Sequence, residues 1–264
     1  MAPLLLLLAL QTNPVMLRAI CVDALAADER SLGPAHQQTL SDAANLASVL
    51  PAAEALTLWK RAADSPEAAV ASRALAALGE ISEEAGDRAG AAELFRLALA
   101  KEEAASGKSS ARVAVRLNAL ALVSDPPAAI PMLERALAID RRLWGEKHTE
   151  TGTTEVNLSG GLLAAGRTLE AIRFGRSALA AFEASLGPGD PRTAAAASTL
   201  ADALRANRDF VAAEKLYRQA LEIDERAFGP EHAETAADVR NLAELFRTQK
   251  RKDEAAELEK RLQK

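Results

Sequence analysis

Apolar residues recur at helical spacing along most of this chain. Ala213, Leu216, Tyr217, Ala220 and Leu221 fall at i, i+3, i+4, i+7 and i+8, with Glu214, Lys215, Arg218 and Glu222 between them. This is the pattern of a helix with one buried and one wet face. Upstream, Leu200, Ala201 and Leu204 mark a partner helix, and Asn207, Arg208 and Asp209 form the turn that joins the two. The unit is therefore a hairpin of helix A, tight turn and helix B. A register of alanines carries it along the chain: Ala24, Ala62, Ala98, Ala136, Ala178 and Ala220 lie 36 to 42 residues apart. Seven residues before each stand Leu17, Ala55, Ala91, Ala129, Ala171 and Ala213. Seven residues are two helical turns, so each pair shares a face where a small side chain lets a second helix approach.

Between hairpins one phrase is repeated. Gly33-Pro34-Ala35-His36 with Thr39, Gly145-Glu146-Lys147-His148 with Thr151, Gly187-Pro188-Gly189-Asp190 with Thr193, and Gly229-Pro230-Glu231-His232 with Thr235 are its four copies, the last three 42 residues apart. The glycine is placed to end helix B in a left-handed cap. The histidine, or Asp190 followed by Pro191, is placed to start the next helix A. A fixed period of this size predicts a solenoid, in which each module packs on its neighbours. Seven hairpins are expected, over 3–31, 36–63, 67–104, 109–143, 149–186, 191–228 and 233–262. They group as a partial repeat or signal-like segment plus helix B (1–32), shortened repeats (33–144) and regular repeats with a charged C-terminal cap (145–264).

Composition narrows the function. Of 264 residues 49% are hydrophobic, mostly Ala and Leu, and only 3% aromatic, which suits helices throughout. A net charge of −5 gives no electrostatic case for nucleic acid. The one cysteine, Cys21, excludes an internal disulfide and a cysteine metal cluster, and beside Ile20 and Val22 it reads as a small buried thiol. His36, His148 and His232 all occupy the linker position, in different modules, which leaves none for acid–base catalysis or a shared metal. Glu83-Glu84 and Glu102-Glu103 splay around a helix, and Gly79, Gly86 and Gly90 form no phosphate cradle. Trp59, Phe95 and Tyr217 read as core, and Trp144 as a packing residue before its glycine. No catalytic set emerges, so neither an enzyme nor a cofactor is expected.

At this point the residues resemble a known family. Asn241-Leu242-Ala243, Phe246 and Ala255, and one module earlier Leu200-Ala201, Ala213, Tyr217 and Ala220, look like tetratricopeptide repeats. The 42-residue period with its Gly-Pro-x-His linker resembles the kinesin light chain type, which also occurs in bacteria. The resemblance is closest over 145–264, looser over 33–144 and faintest over 1–32. It implies an all-α, right-handed superhelical solenoid whose helix A residues line a concave groove for peptides. It does not imply cargo transport, since no coiled-coil heptads are present.

On that resemblance the groove residues follow. Asn45, Asn157 and Asn241 stand twelve residues after the repeat glycine; Asn118 is the counterpart in the fourth hairpin and Thr199 in the sixth. An asparagine there can offer both donor and acceptor to an extended backbone. Alternatively it bonds a neighbouring helix or water, and Ala77 interrupts the series. Flanking positions would set specificity: Ser198, Asp202 and Arg205 in the sixth hairpin, Arg240, Glu244, Arg247 and Thr248 in the seventh. Three guanidinium groups on one channel would favour an acidic segment or a terminal carboxylate. The same residues also read as a solvated face on which Asp and Glu pair with the arginines. Gly160-Gly161, inside a helix A, weakens that helix and either makes room for a partner or marks a bend.

The expected function is thus a non-catalytic scaffold or adaptor that binds a protein or peptide segment. A sensory or regulatory module of a larger signalling system, or a self-associating structural repeat, is the alternative. The apolar run 4–10 is too short to span a membrane. It reads either as the core of an export signal, without a preceding Lys or Arg, or as the tail of a truncated helix A. The second reading also accounts for residues 14–33 and favours the cytoplasm over export.

Overall fold

A computed structural model describes residues 14–263, and there the chain is all α-helix apart from turns and one short 3-10 segment. The two readings of residues 1–11, export signal or truncated helix, lie outside the described residues. The chain forms two compact units, residues 1–123 and 124–264. The first contains α1 (Pro14–Ser31), α2 (Gln37–Ala47), α3 (Ala52–Ala63), α4 (Ala68–Glu84), α5 (Arg88–Ser106) and α6 (Ala111–Leu122). The second contains α7 (Pro126–Trp144), α8 (Thr149–Ala164), α9 (Thr168–Leu186), α10 (Pro191–Ala206), α11 (Phe210–Phe228), α12 (Ala233–Thr248) and α13 (Lys252–Glu259), followed by the 3-10 turn Lys260–Gln263. Even-numbered helices are the A helices and odd-numbered ones the B helices. Within each unit successive helices pack on one another, as a helical solenoid requires.

The alanine register is the seam of that packing. Ala55, Ala62, Ala91, Ala98, Ala136, Ala171, Ala178, Ala213 and Ala220 are all essentially inaccessible. Trp59, Phe95 and Tyr217 fill the same place on their B helices and are buried. Gly79 on α4 exists for this contact, since a Cβ there would meet the Phe95 ring at 2.7 Å.

The linker phrase closes on itself. Gly33, Gly145, Gly187 and Gly229 adopt φ between 84° and 91°, the left-handed conformation glycine reaches most easily. Each glycine carbonyl accepts a hydrogen bond from the buried hydroxyl of the threonine six residues on: Thr39 (2.8 Å), Thr151 (2.7 Å), Thr193 (2.9 Å) and Thr235 (2.8 Å). The three histidines are N-caps, each accepting at Nδ1 from the second N–H of its helix at 3.2 Å. Asp190 does the same for Arg192 at 2.9 Å. Trp144 packs on its linker and not in the core. It is 48% exposed and stacks on His148 at 5.0 Å, as Phe228 stacks on His232 at 4.5 Å. These rings brace the linker rather than fill the core.

Helix α8 runs unbroken through Gly160 and Gly161. A Cβ at Gly160 would meet nothing within 4 Å, and at Gly161 only ordinary contacts with Leu133 and Ile130. Gly160→Ala is therefore expected to raise the unfolding free energy by about 0.5–1 kcal/mol in urea titration. A loss would show that the flexibility of glycine is needed in the folded helix.

Candidate functional site

The caps of the A helices define a common register. Six residues after the N-caps His36, Glu67, Ser110, His148, Asp190 and His232 stand Asp42, Arg73, Arg116, Thr154, Ala196 and Asp238. In five of the six, the residue fourteen positions earlier, near the end of the preceding B helix, meets it across the joint between modules. The pairs are matched chemically. Glu102 supplies the countercharge to Arg116. Asp140 accepts the Thr154 hydroxyl at 2.7 Å, and Phe182 and Ala196 share one apolar cluster. At two joints both partners are acids: Asp28 with Asp42, and Asp224 with Asp238, each pair joined by a side-chain hydrogen bond. Single-residue motifs hide this pairing. Its signal was present in the sequence as a fixed separation of fourteen.

In the first unit the A helices α2, α4 and α6 enclose a pocket of about 330 Å³. Arg73, Arg112 and Arg116 enter it, facing Ser41 and Asn45 on α2, with Glu67 and Glu102 on the wall. Asn45 uses its side-chain oxygen to accept from Arg73 Nη2 at 3.0 Å, and Arg116 Nε donates to Ser72 Oγ at 3.2 Å. Arg73 Nε is buried and has no acceptor. Burial lowers the proton affinity of Arg73, and the charge of Arg112 lowers it further, against the pull of Glu67. Arg116 is lowered by burial and by Arg112, with Glu102 and Glu80 opposing. Arginine stays charged under such pressure, so the pocket carries three cations against two carboxylates on its wall. Of these residues only Asn45 is among the groove positions expected from the resemblance.

The second unit holds most of the expected residues, and it disperses them. Asn118, the remaining one of the first unit, donates to the Ala114 carbonyl of its own helix at 3.1 Å, and Thr199 to Ala195 at 2.9 Å. Thr248 likewise donates to Glu244 at 2.9 Å, and Asn157 is half-buried on α8. Asp202 accepts from Tyr217 Oη at 2.6 Å and from Arg205 Nη2 at 3.3 Å. Arg247 is paired with both Glu244 and Glu259. Of the three arginines expected to face one channel, only Arg240 is without an ion pair among the described residues. Ser198 and Asn241 do come together, in a pocket of about 370 Å³ walled by Arg192, Asp224, Phe228, Glu234 and Asp238. That pocket is acidic.

Among the described residues no three His, Cys, Asp or Glu side chains gather as a metal site, and no helix is long and apolar enough to cross a membrane. The histidines stay in separate linkers as helix caps. Cys21 is half-buried beside Leu25, Ala43 and Leu46, and burial pushes its thiol up, with Asp42 adding to the effect.

Solved structures share this fold. A putative kinesin light chain of Podosopora anserina with nearly identical TPR-like repeats is similar at TM-score 0.62 and 22% identity, covering 72% of this chain and 92% of that one. BtubC (BKLC) of P. vanneervenii is similar at TM-score 0.61 and 18% identity, covering 92% and 89%. A Rap protein complexed with Competence and Sporulation Factor is similar at TM-score 0.70 and 14% identity, covering 94% and 75%. No curated protein sequence matches significantly. The tetratricopeptide repeat profile matches residues 117–184 and 192–263, more than half of the chain, and the protein therefore belongs to the tetratricopeptide repeat family.

Proposed function

We propose that the protein is a non-catalytic interaction scaffold whose A-helix pocket in the first unit receives an acidic side chain or terminal carboxylate of a partner segment. The observation that carries this reading is the convergence of Arg73, Arg112 and Arg116 on one pocket with the side-chain amide of Asn45. A carboxylate would supply the acceptor that Arg73 Nε lacks and relieve the repulsion among the guanidinium groups. Asn45 would remain to hold the neighbouring backbone. The Rap protein of similar fold, complexed with Competence and Sporulation Factor, supports a binding role for such a surface.

The test is fluorescence anisotropy with labelled extended peptides that differ at one position, Glu, Gln or Lys. The Glu peptide is expected to bind best and to weaken as salt rises. Arg112→Glu changes an exposed side chain and leaves the helices intact by circular dichroism. It should weaken the Glu peptide about 10- to 100-fold, the worth of a charge-assisted hydrogen bond. Equal binding of Glu and Gln peptides, or equal binding by wild type and Arg112→Glu, overturns the reading.

A further inference from the structure

We propose that the pocket formed by α10, α11 and α12 is a second recognition site, of opposite sign, which takes one ammonium or guanidinium group carried by a partner segment. The argument starts from the module joints. Elsewhere the same pair of positions is satisfied internally by Glu102 and Arg116, Asp140 and Thr154, or Phe182 and Ala196. At Asp224 and Asp238 two carboxyl groups meet with exposures of only 6% and 5%. Ser198 Oγ donates to Asp238 Oδ1 at 2.8 Å, while Asp238 Oδ2 and Asp224 Oδ1 are buried and find no donor beyond the proton the two carboxyls share. Both residues line the pocket. Two buried acids are a costly way to build a joint that tolerates a hydroxyl pair or an apolar pair in neighbouring modules. A shared proton is what balances the pair, and the pocket is where a cation can approach to replace it.

The surrounding charges agree. Glu234 adds a third carboxylate to the wall. Arg192, the one cation there, is held by Asp190 through Nε at 3.3 Å. His232 uses Nδ1 to cap α12. The half-exposed Phe228 ring forms an apolar wall on which a guanidinium or ammonium group can rest, and Asn241 offers an amide. The pair Asp28 and Asp42 is not equivalent, because Asp42 is only partly buried and accepts from Gln38 at 3.3 Å.

Below about pH 7 the two carboxyls hold one proton between them. Burial pushes Asp238 up to about 7, and the charge of Asp224 pushes the same way, against the hydrogen bond from Ser198. An entering cation replaces that proton, which leaves to solvent, so binding is coupled to proton release.

The experiment is isothermal titration calorimetry of the full chain with an extended peptide bearing one lysine, its norleucine analogue, and spermidine. Runs at pH 6 and 8 in two buffers of different ionisation enthalpy count the protons. The lysine peptide is expected to bind more tightly at pH 8 than at pH 6 by about tenfold, with close to one proton released per site at pH 6 and almost none at pH 8. Asp238→Asn and, separately, Asp224→Asn should weaken it by about tenfold or more, with unchanged helicity. Tighter binding of the peptide than of spermidine places the cation on a basic side chain of a partner; the reverse places it on a free polyamine. Equal binding of the lysine and norleucine peptides, no proton release, or full affinity in both Asn variants overturns the proposal. Arg112→Glu leaves this site untouched, so its failure and that of the first-unit site are separable.

Discussion

Arg141→Met is expected to destabilise the protein by about 3 kcal/mol at neutral pH, the lower end of what breaking a buried ion pair costs. Glu155, in the middle of α8, is fully buried. One of its oxygens accepts from Arg141 Nη2 on α7 at 2.7 Å and from Ser177 Oγ on α9 at 2.9 Å, and the other has no partner. Three successive helices are thus tied at one carboxylate. Methionine keeps the apolar reach of the arginine stem, so the loss measures charge rather than packing. Arg141 is itself 38% exposed, which limits the effect.

The pH dependence fixes the mechanism. Burial raises the proton affinity of Glu155, while Ser177 and Arg141 hold it down. A carboxyl raised in the folded state contributes most where it is protonated, and that contribution is lost as pH climbs from the ordinary carboxylate value through the folded one. Removing Arg141 raises the folded value further. The penalty should therefore be largest at pH 8 and fade toward pH 4, where Glu155 is mostly neutral in both states. Adding Glu155→Gln should recover much of it at pH 8. Urea titrations at the two pH values decide; a loss below about 0.5 kcal/mol at both would reduce the pair to an ordinary surface bridge.

The helices and linkers were legible in the sequence because their causes are local. A glycine with φ near 90°, a threonine that reaches back six residues and a histidine that caps its own helix need no distant partner. The groove chemistry was legible only in part. Asn45 and Asn241 line pockets, but Asn118, at the same sequence register, turns back to its own helix. Arg205 and Arg247, expected to face a partner, pair with Asp202, Glu244 and Glu259, because arginine reaches whichever carboxylate lies near. The cationic pocket has no regular signature in the sequence, because Arg73 and Arg116 belong to the shortened modules, where the spacing is irregular. They align only once the helix caps are known.

Asp238→Asn should make the protein more stable at pH 8 by about 1–2 kcal/mol, and close to neutral in effect at pH 4. In wild type the folded pair keeps its proton to about pH 7, whereas an unfolded aspartate gives it up near the ordinary value of 3.8. Between those values the folded state binds more protons than the unfolded one, so stability falls as pH rises; above 7 the loss is complete. Asparagine presents a permanent N–H to Asp224, which removes the need for a proton and with it this part of the slope. Asp42, raised by burial and by Asp28, keeps a smaller slope in the variant. Thermal melts should show a gain of about 2–6 °C at pH 8, given the size of the chain. A variant less stable than wild type at every pH would mean that the two acids are held apart rather than sharing a proton. The predicted gain bears on function as well. A substitution that stabilises the fold while weakening capture of a cation cannot lose binding through unfolding, and it would mark Asp238 as kept for its ligand at the expense of stability.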